Sequence, residues 1–292
     1  MTLYREFTTQ AQLDAQYDPS SQVADPAAML ARRQAAAAHA RATLDCDLSV
    51  RYGELPPETL DVFPAAQPGS PVVVFIHGGY WSTPFLVKEL YSWVAMGLHA
   101  RGFTTVVLDY GVCPDYSVAE LTAQCRRAVA WLYRNAERYN GSNDKIYVTG
   151  HSAGGHLSAR VAQTDWTLDF ALPMDVVKGA CPISGLFDLR PFPYTWLQPK
   201  LRLTPEMAFD ESPLLVTRRP LAPMLIAWGA DETSEFARQA QAWKDCCEAN
   251  ETLAELLPLP GALHNSAIDG FASADSLLCE SIASHMRVCL PG

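Results

Sequence analysis

The sequence predicts an α/β domain, with a mostly parallel central sheet, helices on both faces and a small lid. Three observations predict it. Fully apolar runs such as Val72-Val-Val-Phe-Ile76 suit strands buried on both faces, as parallel strands are. Helix-length stretches separate these runs at βαβ spacing. One run, Lys145 to Thr149, passes through Gly150-His-Ser-Ala-Gly154 into a helix-compatible sequence, which reads as strand, sharp turn, helix. The 292 residues, 49% hydrophobic and 18% charged, supply core for one domain spanning 1–292.

Taken in order, residues 1–55 are polar and helix-prone, with Asp25-Pro26 as a start signal before an Ala-rich helix that covers the main body. Leu60 to Phe63 reads as an edge strand, and Gln67-Pro-Gly-Ser-Pro71 turns the chain into the Val72–Ile76 strand. A helix over 85–101, a strand over 104–108 and a helix over 118–139 lead to the Lys145 strand. Beyond the Ser152 helix come strands over 179–184 and 224–228, a helix over 235–249, a strand over 255–259 and an amphipathic helix over 274–289. The interval 185–223 breaks the alternation. Its Pro- and aromatic-rich core, Arg190 to Pro199, is too long for a simple connection and reads as the lid.

The formal charge of −10 and the lack of a basic cluster argue against a nucleic-acid or anionic-membrane surface and favour a small-molecule partner. No run approaches the roughly 20 apolar residues that span a bilayer, and the N-terminus lacks an apolar signal region, so the expectation is a soluble, cytoplasmic protein. Eight scattered cysteines without a C-x-x-C suit reduced thiols. No histidine or cysteine spacing suits a metal, and neither metal nor cofactor is expected. A homo-oligomer stays open.

A serine hydroxyl is a weak nucleophile near neutral pH, so Ser152 needs a base and a carboxylate to orient that base. His151 and His156 flank the turn and point elsewhere if Ser152 is raised; His39, His99 and His285 lie in helical patterns. That leaves His264, on a loop just past a strand end, as base, and His77 as a structural tether. Asp231 follows the Ile226 strand and its glycine turn, in the order serine, acid, histidine, and is the expected acid; Glu232 is the nearest rival and Asp188 a weaker one. His77-Gly-Gly-Tyr-Trp81 follows the first buried strand. Backbone N–H groups of Gly78, Gly79 and Tyr80, joined by Ala153, are the expected oxyanion site.

These residues carry a resemblance. His77-Gly-Gly-Tyr-Trp81 resembles the HGGxW signature of the kynurenine formamidases (arylformamidases), α/β-hydrolases neighbouring the hormone-sensitive-lipase-like esterases. It extends to Gly150-His-Ser-Ala-Gly-Gly155, Ile183 to Pro191, Ser234 to Gln239 and Leu13 to Pro19. It implies an α/β-hydrolase fold, a triad of Ser152, Asp231 and His264, and hydrolysis of an N-formyl aryl amide such as N-formylkynurenine, in tryptophan catabolism, without metal or cofactor. Asn265 after the base and the Pro-rich Phe192 to Pro199 stretch depart from the pattern. Bulky Tyr80 and Trp81, where many related esterases carry a third glycine, should crowd the acyl side; Phe192, Tyr194 and Trp196 should wall the aryl side. A carboxylesterase or other small amide hydrolase on the same scaffold is the alternative, and a non-catalytic binding protein the remote one.

Overall fold

A computed structural model describes residues 2–290. Helix α1 (Gln10–Tyr17) opens the chain behind a capping box, in which Thr9 and Gln12 satisfy each other's backbone donors. Helix α2 (Pro26–Thr43) starts where Asp25 accepts from the Ala28 N–H and Pro26 presets the first turn. Strands β1 (Asp47–Arg51), β2 (Thr59–Phe63) and β3 (Ser70–Ile76) follow. Next come α3 (Ala95–Ala100), β4 (Thr104–Leu108), α4 (Val118–Asn135), β5 (Gly141–His151) and α5 (Ala153–Ala162). The chain continues through α6 (Trp166–Phe170), β6 (Val177–Ile183) and three short helices, α7 (Gln198–Leu201), α8 (Pro205–Asp210) and α9 (Pro213–Val216). It closes with β7 (Met224–Gly229), α10 (Ser234–Ala249), β8 (Ala254–Leu259) and α11 (Leu277–Cys289).

Among the described residues, eight strands form one sheet in the order β1-β2-β4-β3-β5-β6-β7-β8. Only β2 pairs antiparallel, with β1 on one side and β4 on the other; all later neighbours run parallel. Leu60 to Phe63 is therefore not the edge. The edge is β1, in a stretch expected to be helix-prone, because Asp47–Arg51 is short and mostly exposed and its two apolar residues, Leu48 and Val50, make too weak an alternation to stand out. The expected helix over 85–101 shrinks to two 3₁₀ turns and α3.

Both faces of the sheet are covered, which explains the continuous apolar strands. Val72, Val74 and Ile76 pack towards Leu121 and Cys125 of α4 and Leu157 of α5. Val73 and Phe75 pack on the opposite face with Leu98 of α3 and Ile282 of α11. Successive strand side chains point to opposite faces, so β3 anchors two cores. The chain leaves β3 for β4 on one side and returns to β5 on the other, which opens a crevice at the carboxyl ends of β3 and β5. The loop carrying Gly78 and Gly79 and the turn carrying Ser152 both start there.

Candidate active site

Ser152 sits between β5 and α5 at φ 58°, ψ −118°. A non-glycine residue held there is strained, by an amount typically of order 1–3 kcal/mol, and persists because its surroundings over-determine it. The Ser152 N–H donates to Ile183 O at 2.9 Å, and a Cβ on Gly154 would lie 2.0 Å from Ile76 O, so α5 can press against β3 only with glycine there. The strain raises the side chain over the sheet edge.

His264 stands on a 3₁₀ turn after β8, almost fully buried. Its Nδ1 bonds a carboxylate oxygen at 2.7 Å, and that carboxylate belongs to Glu232, not Asp231. This corrects the expected acid. Asp231 is exposed, and its N–H donates to Ala262 O at 3.0 Å. The turn after β7 swings the next side chain inward, where Glu232 Oε1 accepts from Gly229 N–H at 2.6 Å and from the Ser184 hydroxyl. Three donors thus fix this carboxylate. Asp188, the other rival, is held by Arg190 at 2.7 Å and by the Tyr4 hydroxyl at 2.8 Å. Burial opposes its ionisation, but these donors override it and keep the carboxyl below its ordinary range.

Two further histidines brace the site. His151 Nε2–H donates to His264 O at 2.9 Å, its ring 4.7 Å from the His264 ring. Burial and the neighbouring His264 and Arg33 push its pKa well below the usual value, so it serves as a neutral strut. His77 lies between the Tyr91 and Tyr110 rings, with Nδ1 facing Gly78 O at 2.8 Å and Nε2 facing Asp109 at 3.0 Å, which ties down the loop as expected. Gly79 takes φ +128°, open only to glycine, and Tyr80 and Trp81 follow at +55° and +56°. A Cβ on Gly78 would lie 3.1 Å from Ser152 Cβ, so the loop passes directly beside the serine. Among the described residues, the N–H groups of Gly78, Gly79 and Tyr80 meet no acceptor. Ala153 is the first residue of α5, where an N–H has no intrahelical partner.

A cavity of about 530 Å³ joins these groups, lined by Gly78, Gly79, Ser152 and His264. Of the four aromatic residues expected to line it, Trp196 does, edge-to-face with Tyr80 at 5.2 Å. The other three are corrections. Trp81 is buried beneath the loop, its Nε1–H donating to His156 Nδ1 at 3.1 Å, because the two left-handed residues turn it into the core. Phe192 packs edge-on against Trp81 at 5.3 Å and is equally buried. Tyr194 faces outward on a separate groove. Much of the wall comes from the N-terminal segment, Pro19 to Arg33, which composition alone marked only as a cover.

The segments that carried the resemblance meet behind the cavity. The Tyr17 hydroxyl donates to Glu235, and Gln239 donates to Tyr17 at 3.1 Å while accepting from the Phe187 and Asp188 N–H groups at 2.6 and 2.8 Å. Phe236 then packs on the His264 ring at 4.6 Å. This buried polar cluster joins α1, the segment after β6 and α10 into one support for the base.

The strained serine turn, the open mostly parallel sheet and the carboxylate-bound histidine define a serine hydrolase of the α/β class. The chain matches the BD-FAE family over residues 60–242. It is 31% identical to a kynurenine formamidase of Salmo salar over 82% of this chain and 81% of that one, and 31% identical to one of Danio rerio over 72% and 71%. A candidate thioesterase structure from Silicibacter sp. TM1040 superposes with a TM-score of 0.80 at 27% identity, covering 91% of this chain and 97% of that one. The chain belongs to the BD-FAE family, among α/β-hydrolases related to kynurenine formamidases and hormone-sensitive-lipase-like esterases.

Proposed function

We propose that this hydrolase cleaves N-formyl aryl amides such as N-formylkynurenine, with Ser152 as nucleophile, His264 as base and Glu232 as the acid that orients it. His264 Nδ1–H is held by Glu232, which leaves Nε2 to take the Ser152 proton as Oγ adds to the formyl carbon. The oxyanion develops beside the free N–H groups of Gly78, Gly79 and Ala153, with Tyr80 as a further donor. Collapse breaks the C–N bond, and His264 returns the proton to the departing aryl amine. Water, deprotonated by His264, then hydrolyses formyl-Ser152 to formate. No step needs a metal or organic cofactor.

The observation that carries this reading is the Tyr80–Trp196 pair on the cavity wall that also holds Ser152 and His264, an aromatic surface set for an aryl group. The Tyr80 hydroxyl donates to Asp18 at 3.1 Å, which fixes that ring in place. The named activity of the fish relatives agrees. Comparing kcat/KM for N-formylkynurenine with that for short p-nitrophenyl esters tests it. A formamide preference is expected; a butyryl ester turned over faster favours a carboxylesterase, the reading to which the thioesterase-like structure is closer.

A further inference from the structure

The protein carries a formal charge of −10, yet among the described residues the Arg, Lys, Asp and Glu side chains that line its catalytic cavity are both cationic: Arg33 and Lys200. Lys200 is exposed on α7. Arg33 lies on α2 and is 7% exposed. Its Nη2 donates to Asn265 O at 2.6 Å, and its guanidinium lies over the Tyr91 ring at 5.9 Å. Its Nε is buried without an acceptor, and no carboxylate bonds it among the described residues. The neighbouring Arg32 contacts Asp269 at 3.4 Å, and Arg33 acts on that carboxylate only through space, without a hydrogen bond.

A buried guanidinium ordinarily has a carboxylate partner, because taking the charge out of water without one is costly. Asn265 O supplies one acceptor and the Tyr91 face a weak second contact. The planar fork of donors remains under-used, and it borders the cavity. We propose that Arg33 is the residue that receives a carboxylate carried on the leaving-group half of the acylated aryl amine or aryl alcohol, and so sets a preference for anionic over neutral substrates. The position follows from the chain: Arg33 holds the carbonyl of Asn265, the residue after the base, whereas the candidate oxyanion donors sit on the Gly78–Gly79 loop. A leaving group departs on the side of the base that protonates it. Lys200, an exposed residue of the same lining, adds longer-range attraction.

This inference rests on the acyl-serine reading, but not on the formyl preference, and its test separates the two. Wild-type and R33Q proteins are assayed on two matched pairs: 3-formamidobenzoate against 3-formamidobenzamide, and 3-acetoxybenzoate against 3-acetoxybenzamide. Within each pair only the charge changes. For a charge-assisted bidentate contact the anionic member should lead by roughly 10- to 100-fold in kcat/KM, chiefly through KM. In R33Q that ratio should fall towards one, and R33K should recover part of it. R33K also covers the case in which R33Q fails to fold, since it keeps the charge and most of the stem. A wild-type ratio near one in both pairs overturns the proposal. So does a ratio that R33Q leaves unchanged while all rates fall, which would make Arg33 a tether of α2 to the His264 loop. Poor turnover of both formamides with a surviving anion preference on the esters would instead sink the formamidase reading and keep the anion site.

Discussion

Replacing Glu232 by Gln should silence the enzyme, whereas replacing Asp231 by Asn should not. The wild-type carboxylate uses Oε1 for two donors, Gly229 N–H and the Ser184 hydroxyl, and Oε2 for His264 Nδ1. A glutamine amide satisfies the first two only by placing its oxygen there, so its NH₂ must face His264. An NH₂ cannot accept from Nδ1–H. The imidazole therefore switches tautomer, accepting at Nδ1 and carrying its proton on Nε2, where it can no longer take one from Ser152. A wrong tautomer and a lost counter-charge should lower kcat by roughly a thousand- to ten-thousandfold, equivalent to about 4–5.5 kcal/mol of barrier. The fold should survive, because the amide fills the same volume, keeps two of the three bonds and reverses the third. Exposed Asp231 contributes only its backbone bond to Ala262 O, and D231N should stay within about threefold of wild type. The assay is kcat and KM on one formamide and one ester, with circular dichroism as control. A D231N enzyme as damaged as E232Q, or an E232Q enzyme within tenfold of wild type, would refute the reasoning.

Other consequences follow from the buried histidines and Trp81. Burial pushes the His156 pKa down from 6.5 to about 3, against the pull of its bond to Glu211 O, so the native state needs this ring neutral while the unfolded chain protonates it. Its contribution to stability is complete above pH 6.5 and is lost as pH falls towards 3, at about 1.4 kcal/mol per pH unit. Denaturant melts of wild type and H156Q across that window should show a shallower acid slope for the variant; parallel slopes would refute the assignment. Trp81→Ala should cost about 3–5 kcal/mol of stability by emptying a buried site, while Trp81→Phe should fold and leave the formyl-to-butyryl preference as in wild type. A changed acyl preference in Trp81→Phe would return Trp81 to the cavity wall.

The parallel architecture was legible because strands buried on both faces must be apolar throughout, and β3 to β7 largely obey that rule. Strand β1 was not, since five mostly exposed residues with only Leu48 and Val50 apolar carry too little pattern to separate them from the helix-prone segment before them. The gathering of Ser152, His264 and the glycine loop on one cavity was legible because a strained turn and close backbone approach restrict which residues fit. The acid was placed one residue early. Asp231 and Glu232 share a turn, and which side chain faces inward depends on how Gly229 lets the 260–262 loop close over it, with Ala262 O only 2.3 Å from where its Cβ would be. Nothing in the spacing reveals that. Trp81 was misplaced for a related reason: two consecutive non-glycine residues at positive φ reverse the inside and outside of a loop, and neither Tyr nor Trp signals such a conformation. Arg33 was invisible in an Ala-rich helix, because its meaning lies in the missing partner rather than in its neighbours in sequence.

The central claim is that Ser152 forms the acyl-enzyme, and covalent labelling tests it most directly. Incubating the protein with a small fluorophosphonate and mapping the adduct by intact-mass and peptide mass spectrometry should place one phosphonyl group on Ser152, with loss of activity in step with labelling. Ser152→Ala should take up no label and retain no turnover above the oxyanion-site background. Stoichiometric labelling elsewhere, or full activity in a completely labelled or Ser152→Ala protein, would contradict it.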